Sequence, residues 1–352
     1  YSLNIVHMAI LKSEYLFLLS SLVLTGCYTD FHPDIETEPV LCINALVRTG
    51  EPIDVAVSRT WCYDDAAAGD DHSVSDARVT VYANGDICDA GYIPAEGDRI
   101  AITAESPVYG YAGAEVDVPR SVPMAAVRYS VNPTDLWALY EPEYGFNSLC
   151  LEFDVSIEID IDDPAGIDNY YRYSYISFGN SDWNAYDPDD GDMSDSSRPE
   201  IMFYAGSFVY DSEPVFGEHI GIFESIMGGT SDGFTFFTDR QFSGGRYTLH
   251  LEYTGAALRM FSKPSCDDVP DCGLVITLSA VSPEYYNWAS YVWQVNSGPL
   301  GELGDTGLGE PLWGYSNVST GAGVVAAQTS VSYTVNLKNL MQDIISGGQM
   351  DE

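Results

Sequence analysis

Hydrophobic and polar residues alternate strictly along LEFDVSIEIDID. Leu151, Phe153, Val155, Ile157, Ile159 and Ile161 fall on one side of the pattern, and Glu152, Asp154, Ser156, Glu158, Asp160 and Asp162 on the other. A helix would scatter these carboxylates around its circumference. A strand gathers the apolar side chains on one face, because successive side chains of an extended chain point in opposite directions. At about 3.3 Å per residue this strand is on the order of 40 Å long. RYTLHLEYT repeats the pattern with Tyr247, Leu249, Leu251 and Tyr253 inward, and VSYTVNL with Val331, Tyr333, Val335 and Leu337 inward; LVITLSA alternates too. Earlier in the chain, ARVTVYA aligns Ala77, Val79, Val81 and Ala83, and RIAITAE aligns Ile100, Ile102 and Ala104.

Segments near 40–48, 53–60, 77–83, 99–105 and 112–118 are separated by Gly, Pro, Asn and Asp clusters such as ANGD. Short strands with regular turn signals predict an antiparallel sandwich over 40–124. The proline pair in VPRSVPM, Val118–Met124, marks its end. A larger β-rich domain, an antiparallel sandwich or barrel-like body with one short helix, follows over 125–345, with a tail at 346–352. The helix is predicted in SPEYYNWASYVWQ: Ser282 caps, Pro283 suits the first helical position, Glu284 complements the dipole, and Tyr285, Ala289, Val292 and Trp293 share a face. The fold class is all-β.

The chain start obeys a different pattern. Lys12 precedes an apolar run, Tyr15–Leu24, that stops at Leu24-Thr25-Gly26-Cys27. About 10 residues span roughly 15 Å as a helix, half of what a bilayer core needs. The length suits a secretory signal over 1–26, with Met8 as a conventional start. LTGC resembles the lipobox of bacterial lipoproteins, in which cleavage precedes the cysteine and its thiol receives a diacylglycerol. Cys27 is therefore the expected lipidation site, and 27–39, with the polar stretch YTDFHPDIETEP, the tether. Two or more acyl chains anchor stably where one binds only marginally.

Composition sharpens this picture. With 53 acidic against 14 basic residues, the formal charge is −39. Such a chain repels nucleic-acid phosphates and anionic lipid alike, so the expected membrane anchor is covalent and no nucleic-acid partner is expected. The 45% hydrophobic and 13% aromatic content is too rich for a disordered acidic chain.

Candidate chemistry is sparse. CDDVPDC presents Cys266 and Cys272 as a short-loop disulfide, with two free thiols as the alternative, and an exported location permits the bond. DPDDGDMSD offers Asp187, Asp189, Asp190, Asp192 and Asp195 as an irregular calcium loop, because hard cations favour clustered carboxylates. Its glycine is displaced from the EF-hand position and Arg198 stands where the bidentate glutamate belongs, so a solvated acidic loop is preferred and no cofactor is expected. Trp183 and Tyr186 are the candidate aromatic ligand patch. Tyr170, Tyr171, Tyr173 and Tyr175 sit in NYYRYSYISFG, whose alternation sends at least half of those rings into a core. GTSDG matches a nucleophile-elbow pattern at Ser231, but that motif needs a strand before it and a helix after it, and strand-like FTFFT follows. No catalytic residue is assigned.

Several segments carry a family resemblance: CINALVRTGEPIDVAVSRT, DARVTVYANGD, YIPAEGDRIAITAESPVYGYAGAEVDVP, LVITLSAVSPEYYNWASYV and EPLWGYSNVSTGAGVV. Their order, after the lipobox, resembles the Bacteroidetes-type outer-membrane lipoproteins of domain-of-unknown-function family 4249. The most specific elements are Ser282–Tyr286 and the stretch from Glu310-Pro311 to Ser316-Asn317 with Gly321 and Gly323. Val324 and Val325 depart from the phenylalanine usual there. The resemblance implies an N-terminal immunoglobulin-like or carboxypeptidase-regulatory-like sandwich before the larger β domain. It also implies an accessory role beside a TonB-dependent outer-membrane transporter in nutrient capture or uptake. The expectation is a non-enzymatic, lipid-anchored protein of the outer membrane, on its periplasmic or its surface face. A stand-alone glycan- or peptide-binding module or adhesin is the alternative.

Overall fold

In the computed structural model the alternating segments become strands. It describes residues 38–61, 72–89, 91–141, 146–180, 201–210, 213–219, 234–261, 266–296 and 314–346. The strands are β1 Leu41–Arg48, β2 Ala56–Arg59, β3 Arg78–Ala83, β4 Asp86–Ile87, β5 Arg99–Ser106, β6 Gly110–Asp117, β7 Met124–Glu141 and β8 Phe146–Asp162. They continue with β9 Tyr170–Phe178, β10 Ile201–Tyr204, β11 Ser207–Val209, β12 Phe236–Thr238, β13 Arg246–Phe261, β14 Gly273–Val281 and β15 Ala322–Asn336. The expected helix is α1, Pro283–Asn296, and a further helix, α2, spans Lys338–Ser346. None of the described helices is long and apolar enough to cross a membrane.

Three open sheets result. A six-stranded sheet runs β12-β9-β14-β15-β1-β2, a five-stranded one runs β10-β13-β8-β7 with β11 beside β13, and a four-stranded one runs β4-β3-β5-β6. The all-β expectation holds, in sandwich form with no closed barrel. One pairing departs from the antiparallel expectation: β1 runs parallel to β15, from Cys42 opposite Ala322 to Arg48 opposite Gln328. The last strand thus enters the sheet beside the first, and Pro39–Glu352 forms one compact unit.

This shared sheet carries a core on each side of its length. Its β9 and β14 half faces the five-stranded sheet across Phe153, Val155, Ile157, Ile159, Leu249, Leu251, Tyr171 and Tyr173. Its β1 and β15 half faces the four-stranded sheet across Leu41, Ile43, Val47, Ile100, Ile102, Val116 and Val325. On the outer side, α1 buries Tyr285, Ala289 and Trp293 against Val324, Ala326, Phe234 and Phe236. Residues 324–329 of β15 are consequently buried on both faces. Tyr333, expected inward, is 38% exposed, although Val335 and Leu337 beyond it are buried as expected.

The outward carboxylates of β8 are clasped across strands. Arg128 on β7 donates from Nε to Glu158 at 2.8 Å and from Nη1 to Asp160 at 2.8 Å, and Arg246 on β13 donates to Asp162 at 2.7 Å. Thr248 also donates to Asp160 at 2.8 Å, leaving that residue buried. The guanidinium of Arg128 and the Thr248 hydroxyl hold the Asp160 carboxyl well below the usual carboxylate range.

Candidate functional site

Three of the segments that carry the family resemblance, those beginning at Cys42, Leu274 and Glu310, meet at the seam of β1, β15 and α1. Ser282 fixes the helix start: its Oγ accepts from Tyr285 N at 3.4 Å and from Ala327 N at 3.2 Å, while its own N–H donates to Ala327 O at 2.9 Å. The cap therefore also ties α1 to β15. Asn317 performs a strand's work with its side chain, donating to Val325 O at 2.8 Å and accepting from Val325 N at 3.0 Å. Ser316 Oγ donates to Gly323 O at 2.8 Å. Across the seam, Asn44 Oδ1 accepts from Val324 N at 3.1 Å.

Beside this seam lies a half-open groove of about 410 Å³, a typical size for small-ligand clefts. Its floor is Asn44 and Leu46 of β1 with Val324 and Ala326 of β15; Tyr285 and Trp288 form the wall, and Arg48 and Asp54 stand at the rim. Trp288 is 39% exposed while Tyr285 is buried, so one ring backs the groove and the other opens to solvent. Arg172 of β9 holds Tyr285 from behind: its Nη1 donates to the phenol oxygen at 3.2 Å, and its guanidinium lies 5.9 Å from the Tyr285 ring and 5.5 Å from Phe236. The wall is thereby preorganised. Arg48 donates to Glu51 at 3.3 Å.

Two other clusters invite comparison. A larger hollow of about 850 Å³ between the β5 and β6 ends and loop 164–169 contains Arg99 and Asp117, but these already pair with each other at 2.8 Å. The second cluster holds two buried carboxylates, Asp163 and Asp239. Asp163 accepts from the Tyr171 hydroxyl and from Gly244 N, and Asp239 from Asn169 Nδ2 at 3.3 Å. Every one of these bonds fastens the loops flanking β9 and β13, so the arrangement is structural. Burial, then the neighbouring charges of Asp163 and Asp168, raise the Asp239 carboxyl above its ordinary value. A carboxyl raised in the folded state penalises folding once ionised, and the penalty disappears as pH falls below the unfolded value near 4. Asp239→Asn is therefore expected to raise the urea midpoint at pH 7, with the gain shrinking toward pH 4; an equal gain at both values would contradict the assignment.

The residues singled out from sequence fall differently. Cys27, Trp183, Tyr186, Asp187, Asp189, Asp190, Asp192, Asp195 and Ser231 lie outside the described residues. Among the described residues there is no group of three or more metal-ligating side chains. Tyr171 and Tyr173 point into the larger core, Tyr175 packs against it, and Tyr170 faces outward against Tyr286 at 4.8 Å. Cys272 is fully buried and its thiol is free, while the Cys266 side chain, the other half of the expected bridge, is not among those described. The Cys272 residue ends its loop pointing inward under β14, and burial pushes its thiol up to about 11. Sequence reasoning missed the groove. Its one available signal was Trp288, an indole set beside the buried Tyr285, Ala289 and Trp293 stripe of α1 and not within it.

Comparison with known proteins gives one match. A family model described as "Domain of unknown function (DUF4249)" covers residues 28–334. No curated protein and no solved structure matches the chain.

Proposed function

We propose, for a chain that belongs to the DUF4249 family, that it is a non-enzymatic accessory protein fastened to the outer membrane by lipid at Cys27. In this reading it serves a TonB-dependent transporter in nutrient capture or uptake. The observation that carries the reading is one of order along the chain. Lys12, the apolar run and Leu24-Thr25-Gly26-Cys27 come first, and the family match begins at residue 28, directly behind the cysteine. A lipid on Cys27 would leave the whole family body free on a short polar tether. The charge of −39 supports a covalent anchor over electrostatic docking on anionic lipid.

Replacing Cys27→Ala is expected to move the protein from the membrane fraction to the soluble fraction and to abolish incorporation of labelled palmitate. Affinity purification of the wild-type protein from solubilised outer membrane is expected to recover a transporter. Membrane retention of the alanine variant would sink the anchor, and repeated recovery of the protein alone would sink the accessory role.

A further inference from the structure

We infer that the groove beside α1 is a binding site for a neutral carbohydrate, held by stacking of a sugar ring on Trp288. This deepens the accessory reading, and rests on it for biological sense, by naming the class of nutrient the body would hold.

Three observations converge. The first is the platform. Trp288 keeps 39% of its surface open at the groove mouth although it sits on a helix that buries its neighbouring aromatics. Exposing an indole forgoes the gain of burying it, so its position needs a partner to cover it. The C–H-rich face of a pyranose is such a partner, flat and apolar on one side and polar at its edge.

The second is the ring of hydrogen-bonding groups. Asn44 uses its oxygen on Val324 N, and its amide nitrogen has only the Cys42 sulfur at 3.5 Å, a weak acceptor that leaves the amide free to donate. Asp54 is exposed on the rim, and Arg48 is engaged only by the exposed Glu51. Amide, carboxylate and guanidinium side chains are planar and can meet two adjacent hydroxyls at once.

The third is an unpaired acceptor. Gln328 follows Val324 and Ala326 on the same face of β15 and stands opposite Arg48 in register. It is only 9% exposed, yet its Oε1 makes no hydrogen bond. Leaving a buried acceptor unpaired is costly, and this one lies behind the groove lining, next to Arg48 in register. Charge then narrows the ligand. A protein of −39 repels anionic sugars, and the one guanidinium at the rim, Arg48, is already offset by Glu51. A neutral sugar fits both conditions.

The test uses the full chain purified in detergent. It is presented to an array of neutral oligosaccharides (fragments of glucans, mannans, xylans and galactans), with anionic glycans and cationic peptides as separate arms. The expected result is saturable binding to at least one neutral class, followed by quenching or enhancement of tryptophan fluorescence. Trp288→Ala and, independently, Asp54→Asn are each expected to weaken it about tenfold or more with the thermal midpoint unchanged. Binding that survives both substitutions, binding only in the peptide or anionic arm, or no binding in any arm would overturn the assignment. These readouts need no lipid and no transporter. A failed sugar site therefore leaves the membrane fractionation of Cys27→Ala untouched, and a failed anchor leaves the array result standing.

Discussion

Gly323→Ala is expected to cost more than about 4 kcal/mol of stability, enough to prevent recovery of a folded protein at ordinary temperature. Gly323 has φ +104°, a conformation that L side chains rarely adopt, and a β-carbon there would lie 2.2 Å from the Ile43 carbonyl oxygen. The strain alone is worth on the order of 1–3 kcal/mol. The clash adds more, because the atom it meets is backbone of the adjacent strand and cannot rotate away. Relief requires β1 to part from β15, and that seam lies between the α1 packing on one side and the smaller core on the other. Gly50 is the control: its φ is +80°, but nothing lies within 4 Å of the would-be β-carbon. Gly50→Ala should therefore cost only the strain, about 1–2 kcal/mol. Equal urea midpoints for the two variants would show that the seam does not govern stability.

Removing the Asn317 amide is expected to have the next largest effect. Asn317→Ala strips partners from both the N–H and the C=O of Val325, a residue with 0% exposure. Each orphaned buried group costs about 1–3 kcal/mol, so a total on the order of 2–6 kcal/mol follows. Asn317→Asp should fail as well, since a carboxylate keeps the acceptor but sets an oxygen against the Val325 carbonyl. Native-state hydrogen exchange gives a specific readout: the Val325 amide should lose protection in the alanine variant while Ile157, in the other core, keeps its own. Uniform loss at both positions would mean general destabilisation and would contradict the local role.

These two residues also mark what could be read from the chain. Alternation located β8, β13, β14 and the strands of the first hundred residues, because period-two burial is a local property of an extended chain. Leu151, Phe153, Val155, Ile157, Ile159 and Ile161 are all buried as expected. Partners were not legible. Asn44 and Val324 meet across 280 positions, and nothing local announces that the first strand runs parallel to the last. The same holds for Cys272, which is buried in the larger core with Leu274, Leu337 and Met341. The resemblance pointed to Ser282, Ser316, Asn317, Gly321 and Gly323 without a reason for them. Ser282, Ser316 and Asn317 each hydrogen-bond backbone of β15, and a β-carbon on Gly321 or Gly323 would strike a carbonyl of β1. The groove grows from that seam, which is why its lining combines residues from β1, β15 and α1 that no linear motif contains.

The proposed accessory role depends on the anchor at Cys27. The most direct measurement is mass spectrometry of the amino-terminal peptide from protein extracted out of the membrane fraction. The peptide is predicted to begin at Cys27 and to carry a diacylglycerol on its sulfur with a further acyl chain on its new amino group. A peptide that begins upstream of Cys27 with an unmodified thiol would contradict it.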